Sequence, residues 1–194
     1  MILLAFWSML HALPRIDLAV YSGWVGARSS GATALAIAVT DAGGIAAMAS
    51  LAAAAAAWCW WRGRTLDAVL AVGAMAGAGL LIRLLKELFD RPRPPEATRL
   101  VVETNESLPS GHALMSVVVM GTLVVLAWAG RSVLARAAMT CAALAWVVAI
   151  GVTRLYLGVH WFSDVLAGWL VGAMWLALCV ALWHRTAVIA ATRA

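Results

Sequence analysis

Residues 66–85 read LDAVLAVGAMAGAGLLIRLL, with Asp67 and Arg83 the only charges. A helix of about 20 residues rises about 30 Å, the thickness of a bilayer's hydrocarbon core. Lipid offers backbone N–H and C=O groups no partner, so such a run is helical by default. Working outward, Gly43–Trp61 precedes it, and Gly111–Ala129, Val133–Val152 and Val165–Trp183 follow. The fold class this predicts is all-α, a polytopic transmembrane helix bundle. Met1–Leu13 is apolar but short, and Pro14 follows it. Read as a shortened or tilted first span, it gives a bundle of five to six helices. It has neither a basic leader nor a small-residue cleavage site, so a signal peptide is not expected. Ile16–Ala42 mixes Gly, Ser, Arg15, Asp17 and Arg28 with apolar residues and reads as an interfacial stretch. Residues 1–194 form one expected domain, in which 43–184 carry the core helices.

Composition supports this reading. Hydrophobic residues make up 64% of the chain and charged residues 12%, against ~45–50% and ~25% in soluble domains. The mean hydropathy is +0.93. A disordered chain, a soluble enzyme and a secreted disulfide scaffold are excluded. Cys59, Cys141 and Cys179 all lie inside apolar runs, as small packing residues would. The sequence has no Cys/His cluster of the kind that holds zinc.

The net charge of +5 comes from basic residues scattered between apolar runs. They orient a membrane protein, and no nucleic acid partner is expected. Arg62 and Arg64, Arg131 and Arg136, and Arg185 and Arg193 fall by parity on one side. The positive-inside rule makes that side cytoplasmic. The loop 86–110 then lies outside, yet it contains Lys86, Arg91, Arg93 and Arg99. Charges that break the bias have another task.

Three clusters meet on that outer side. In the first, Lys86 ends a helix, and Pro92, Pro94 and Pro95 force the chain that carries Arg93 to extend. In the second, Pro109-Ser110-Gly111-His112 opens a helix. Backbone N–H groups at such a terminus bind anions, and His112 titrates near neutrality. In the third, Arg154 is followed by Gly158, His160 and Asp164. On a helix His160 and Asp164 would share a face, and the carboxylate would fix the imidazole tautomer. Gly158 allows the break that brings Arg154 and His160 together. Three cations and a helix N-terminus suit a dianionic phosphate, and two histidines supply a nucleophile and a general acid. Arg83, one turn before Lys86, either snorkels outward or lines the pocket.

Lys86-x6-Arg93-Pro94, Pro109-Ser110-Gly111-His112 and Arg154-x5-His160-x3-Asp164 resemble the three-part signature of the type 2 phosphatidic acid phosphatase superfamily. The resemblance covers roughly residues 60–184. Thr153 stands where the pattern often has Ser. The resemblance implies that His160 attacks phosphorus and forms a phosphohistidine, and that Asp164 orients it. It implies that His112 protonates the leaving oxygen and then activates water. Lys86, Arg93, Arg154, Ser110 and the Gly111 N–H would cradle the phosphate. No metal or cofactor is expected, because fixed cations stabilise the charge and no carboxylate cluster suits Mg²⁺.

The function implied is metal-independent hydrolysis of a lipid phosphate or diphosphate at the outer face of a bacterial plasma membrane. A polyprenyl (undecaprenyl-type) diphosphate recycled for wall synthesis fits the resemblance best. Phosphatidylglycerophosphate, phosphatidic acid and a polyprenyl sugar phosphate are alternatives. The other class is an anion-binding or transport protein, which would use the same cations only to hold its cargo. The expected partners are the lipid substrate and membrane lipids, and a homo-oligomer is compatible with the sequence.

Overall fold

The computed structural model describes the backbone of residues 2–192 and the side chains of residues 13–190 and 192. Among the described residues it has seven α-helices and no strand: α1 (Ile2–Gly26), α2 (Ser30–Ala42), α3 (Ile45–Trp61), α4 (Thr65–Phe89), α5 (Gly111–Ala127), α6 (Val133–Tyr156) and α7 (Phe162–Ala191). α4, α6 and α7 are each long and apolar enough to cross a membrane. α2 and α3 qualify only together, as one span bent by 41°. The break falls at Gly43 and Gly44. The run expected at 111–129 is the shorter apolar helix α5, of 17 residues.

α5 is the centre of the bundle and packs against α3, α4, α6 and α7. Leu114, Met115 and Val118 are almost fully buried on it. An enclosed helix of this kind has no need to reach both interfaces. α3 and α4 meet through Ala52, Ala56, Ala68, Ala71, Ala74 and Ala78. Small side chains let the helix axes approach, which is how helices associate where lipid removes the hydrophobic drive. Val72, Leu80, Leu170 and Met174 are exposed, as lipid-facing residues are.

Two glycines bring α7 against the start of α5. A Cβ on Gly168 would lie 2.7 Å from the Ser110 carbonyl oxygen, and one on Gly172 would lie 2.9 Å from that of Leu114. At the end of the bundle away from these N-termini, Arg62 stacks over Trp58 at 5.6 Å and Arg136 over Trp128 at 5.1 Å. Such basic and aromatic pairs mark a membrane interface.

The structure modifies several expectations. α1 continues through Pro14 to Gly26. One proline removes a single hydrogen bond, and a helix can absorb that as a bend. The expected short span over residues 1–13 otherwise falls on side chains outside the described residues. The stretch 16–42 supplies the second half of α1 and all of α2, which pack on α6 and α7. Arg28 ties this layer down, donating to the carbonyls of Tyr156 at 3.0 Å and Thr98 at 2.7 Å. Of the cysteines only Cys59 is buried; Cys141 is exposed on α6, so hydropathy alone did not place it inside. Arg83 points away from the site and pairs with Glu87 at 3.0 Å on the exposed face of α4.

Candidate active site

The N-terminus of α7 builds the first part of the site. His160 does not share a helical face with Asp164, because α7 begins only at Phe162. α6 ends at Tyr156, and Gly158 turns the chain with φ +71°. Asp164 folds back over the first turn and accepts the Trp161 N–H at 2.8 Å. The same Oδ2 faces His160 Nδ1 at 3.4 Å. The helix cap thus performs what the i,i+4 spacing was expected to do. Ser107 also donates to Oδ2 and lies 3.5 Å from His160 Nδ1. With Nδ1 carrying the proton toward Asp164, Nε2 is the unprotonated nitrogen and accepts from Arg93 Nη1 at 3.2 Å. Burial drives the imidazole pKa down to about 3, although Asp164 opposes this, and Arg93 and Arg154 deepen it. His160 is therefore a neutral imidazole at physiological pH.

The expected cations converge around it. Arg93 is fixed by the Asn105 carbonyl at 2.6 Å, Asn105 Oδ1 at 2.6 Å and the Val159 carbonyl at 2.7 Å. Lys86 is buried at the end of α4 and donates to the Glu106 carbonyl and, at 3.3 Å, to Asn105 Oδ1. Arg154 is 2% exposed, donates to Thr40 Oγ1 at 3.0 Å and pairs with Glu103. Its Nε is buried with no hydrogen-bond partner among the described residues. An unmet donor on a buried cation is costly unless a ligand completes it. Thr153 turns its hydroxyl back to the Ile150 carbonyl at 2.7 Å, so it contributes nothing to the cradle.

The start of α5 closes the site. Ser110 is fully buried, and its Oγ accepts the Ala113 N–H at 3.5 Å as an N-cap. Its own N–H is not free, as the sequence suggested, but donates to the Asp164 carbonyl at 3.0 Å. This bond couples the two helix N-termini. Gly111 and His112 occupy the first positions of α5, where a helix leaves N–H groups unpaired. His112 is half-buried, and Arg154, Glu103, Arg93 and Lys86 are the charged groups around it. Both histidines therefore have Arg93 and Arg154 as charged neighbours.

Similarities to other proteins agree with this geometry. The family model of the PAP2 superfamily matches residues 67–187. The chain belongs to the PAP2 superfamily. It is 33% identical over 113 residues to phosphatidylglycerophosphatase B of Bacillus subtilis (strain 168). That alignment covers 57% of the chain and spans only about half, 55%, of the relative's length. Among solved structures, a transmembrane PAP2-type phosphatidylglycerolphosphate phosphatase from Bacillus subtilis superposes with a TM-score of 0.83. Identity there is 26%, over 90% of this chain and 87% of that one. LpxE of Aquifex aeolicus shares the fold, with a TM-score of 0.69 at 20% identity over 84% and 94% of the two chains.

In this PAP2 chain the structure also places beside the site residues that the sequence did not single out. Glu103, Asn105 and Ser107 come from the loop between α4 and α5, and Thr40 comes from α2. Glu103 pairs with Arg154 and lies 3.6 Å from Arg93. Burial raises its pKa, but Arg154 and Arg93 win and hold the carboxyl below the usual range. A carboxylate of the chain itself thus stands between two cradle cations. Burial likewise pulls Arg93 down to about 10, against the pull of Glu103. A polar cavity of about 360 Å³, lined by Arg91, Arg93, Arg99, Glu103, Asn105 and Glu106 among others, opens beside the pair.

Proposed function

We propose that this chain is a metal-independent phosphatase acting on a lipid phosphate through a phosphohistidine on His160. The observation that carries the reading is the placement of His160, with Nε2 turned toward Arg93 at 3.2 Å and Asp164 behind Nδ1. A nucleophile needs its lone pair aimed into the site and its tautomer held from behind. The unmet Nε of Arg154 supports an oxyanion as the missing partner. As phosphate enters, Glu103 gives up Arg93 and Arg154 to its oxygens. Nε2 forms the bond to phosphorus while the bond to the leaving oxygen breaks, and His112, which takes up a proton as the negative phosphate enters beside it, delivers that proton to the leaving oxygen. The charge on the five-coordinate phosphorus falls on Arg93, Arg154, Lys86 and the N–H groups of α5. His112 then takes a proton from water, whose oxygen attacks phosphorus and frees His160.

A site at the end of a membrane bundle meets headgroups whose tails stay in the bilayer. Phosphatidylglycerophosphate is the substrate favoured, because the relatives at 33% and 26% identity are phosphatases named for it. A polyprenyl diphosphate is the second reading, favoured by the cavity beside the cradle, where Arg99 adds a cation for a second phosphate. The site is proposed to open on the extracytoplasmic side of a bacterial plasma membrane, from the Arg62, Arg64, Arg131 and Arg136 bias at the other end. The test is phosphate release by purified protein from a lipid panel with EDTA present. The expected result is release from phosphatidylglycerophosphate, undiminished by EDTA and inhibited by vanadate. Activity lost in EDTA and restored by Mg²⁺ would contradict the reading.

A further inference from the structure

Behind Asp164 lies a second layer of charge that the proposed reaction does not use directly. Arg91 bridges two carboxylates. Its Nη1 donates to Asp164 Oδ1, the oxygen turned away from His160. Its Nη2 donates to Asp17 Oδ2 at 2.7 Å. Asp164 and Asp17 are 0% and 2% exposed. Ser163 completes the ring, with its N–H on Asp17 Oδ1 at 2.8 Å and its hydroxyl on Asp17 Oδ2 at 2.6 Å. The guanidinium rests near the Trp161 ring, at 5.9 Å. A buried carboxylate on an apolar helix is costly unless paired, and here Asp17 is paired to the residue that pairs with the dyad.

We infer that Arg91 is a positioning residue for the reaction: clamped by Asp17, it fixes the Asp164 carboxylate behind His160 and offsets its charge. The inference rests on the phosphatase reading. An Asp164 left without Arg91 would favour the protonated imidazole, so that on acidification His160 would lose the lone pair it attacks with at a higher pH. Asp17 acts with the opposite sign, since it draws part of the Arg91 charge away from Asp164. The other groups facing His160 are Arg93 from the arm after α4, Arg154 from α6 and Ser107 from the loop. Lys86, Glu103 and His112 surround the cradle beyond them. None of these bonds Asp164 Oδ1, so only Arg91 reaches the dyad from that side among the described contacts.

The test is the pH profile of kcat in Arg91→Gln, Arg91→Lys and Asp17→Asn. A bound phosphate adds negative charge beside His160 and so raises its titration, which the acid limb of kcat reports. Arg91→Gln should move that limb up by about one pH unit, the lower end of what a neighbouring charge does. Arg91→Lys should restore most of it, and Asp17→Asn should move it down. The ionisation of the substrate is common to all four proteins and cancels. A limb unmoved in Arg91→Gln, with only thermal stability lost, would make Arg91 a staple of α1 to α7 and overturn the inference. Should Arg91→Gln not fold, the sign of the Asp17→Asn shift decides: downward supports the role, unmoved or upward overturns it. A wild type that releases no phosphate would remove the reaction itself, an outcome distinct from an active enzyme with an unmoved limb.

Discussion

On the proposed mechanism Glu103 and a phosphate group compete for the guanidinium groups of Arg93 and Arg154, a consequence that single substitutions can test. Glu103→Gln removes the competing charge while keeping the size of the side chain. Inorganic phosphate and vanadate should then bind about five- to tenfold tighter, equivalent to about 1 kcal/mol of partly exposed ion pairing. Because Arg154 and Arg93 hold Glu103 below the usual carboxylate range, the difference should be full at neutral pH. It should fade only in acid, where the wild-type carboxyl takes up a proton. Calorimetric titration at neutral and acid pH checks both parts, and unchanged affinity in Glu103→Gln would show that Glu103 does not oppose the anion. His112 makes a second prediction at this scale. A lipid alkoxide is a poor leaving group and needs a proton, whereas a lipid monophosphate leaving from a diphosphate needs it less. His112→Ala should therefore lose ~10²–10⁴-fold on a monophosphate lipid and distinctly less in the first half-reaction of a diphosphate. Equal losses on both, in single-turnover assays, would take the proton away from His112.

At the scale of elements, the site depends on how closely α7 lies on α5. Gly168→Ala places a Cβ 2.7 Å from the Ser110 carbonyl oxygen, a backbone atom that cannot step aside. The helices must part, and the bond from Ser110 N–H to the Asp164 carbonyl with them. Turnover should fall at least ~10-fold, as for other small misplacements of reacting groups. Gly73→Ala on α4 is the control, because nothing lies within 4 Å of the added atom. It should leave turnover unchanged and raise stability by about 0.4–1 kcal/mol. Equal turnover in the two variants would mean that the α5–α7 contact does not set the site. The helices that carry Lys86, Ser110, Arg154 and Asp164 were legible in the sequence, because apolar runs of membrane length leave few alternatives. The cap at α7 was less so. Spacing suggested that His160 and Asp164 meet on one helix, but the helix starts later and Asp164 reaches back as its cap. Asp17 carried a signal, a carboxylate in an apolar stretch, though nothing in sequence paired it with a residue 74 positions away. Arg91 was hidden beside Arg93 in one polar segment, and Glu103 among the acids of its loop.

At the scale of the whole molecule, the three charge clusters fall on one end of the bundle and the Arg62–Trp58 and Arg136–Trp128 pairs on the other. This polarity predicts sidedness. In a cysteine-free background, a cysteine at Val102, an exposed loop residue at the site end, should react with an impermeant thiol reagent in intact cells. A cysteine at Arg131, between α5 and α6, should react only after lysis. The reverse pattern would place the site in the cytoplasm and remove wall lipids from the candidate substrates. The α1–α2 layer adds a further whole-molecule feature, since Asp17 and Thr40 bond groups of the site from residues far earlier in the chain. The central claim is that His160 carries the phosphoryl group. Radiolabelled lipid diphosphate, rapidly quenched in denaturing alkali where a phosphohistidine survives, tests it directly in His112→Ala, in which attack by water is slow. Label is expected on His112→Ala protein and none on the His112→Ala/His160→Ala double variant. Equal labelling of the two proteins would contradict it.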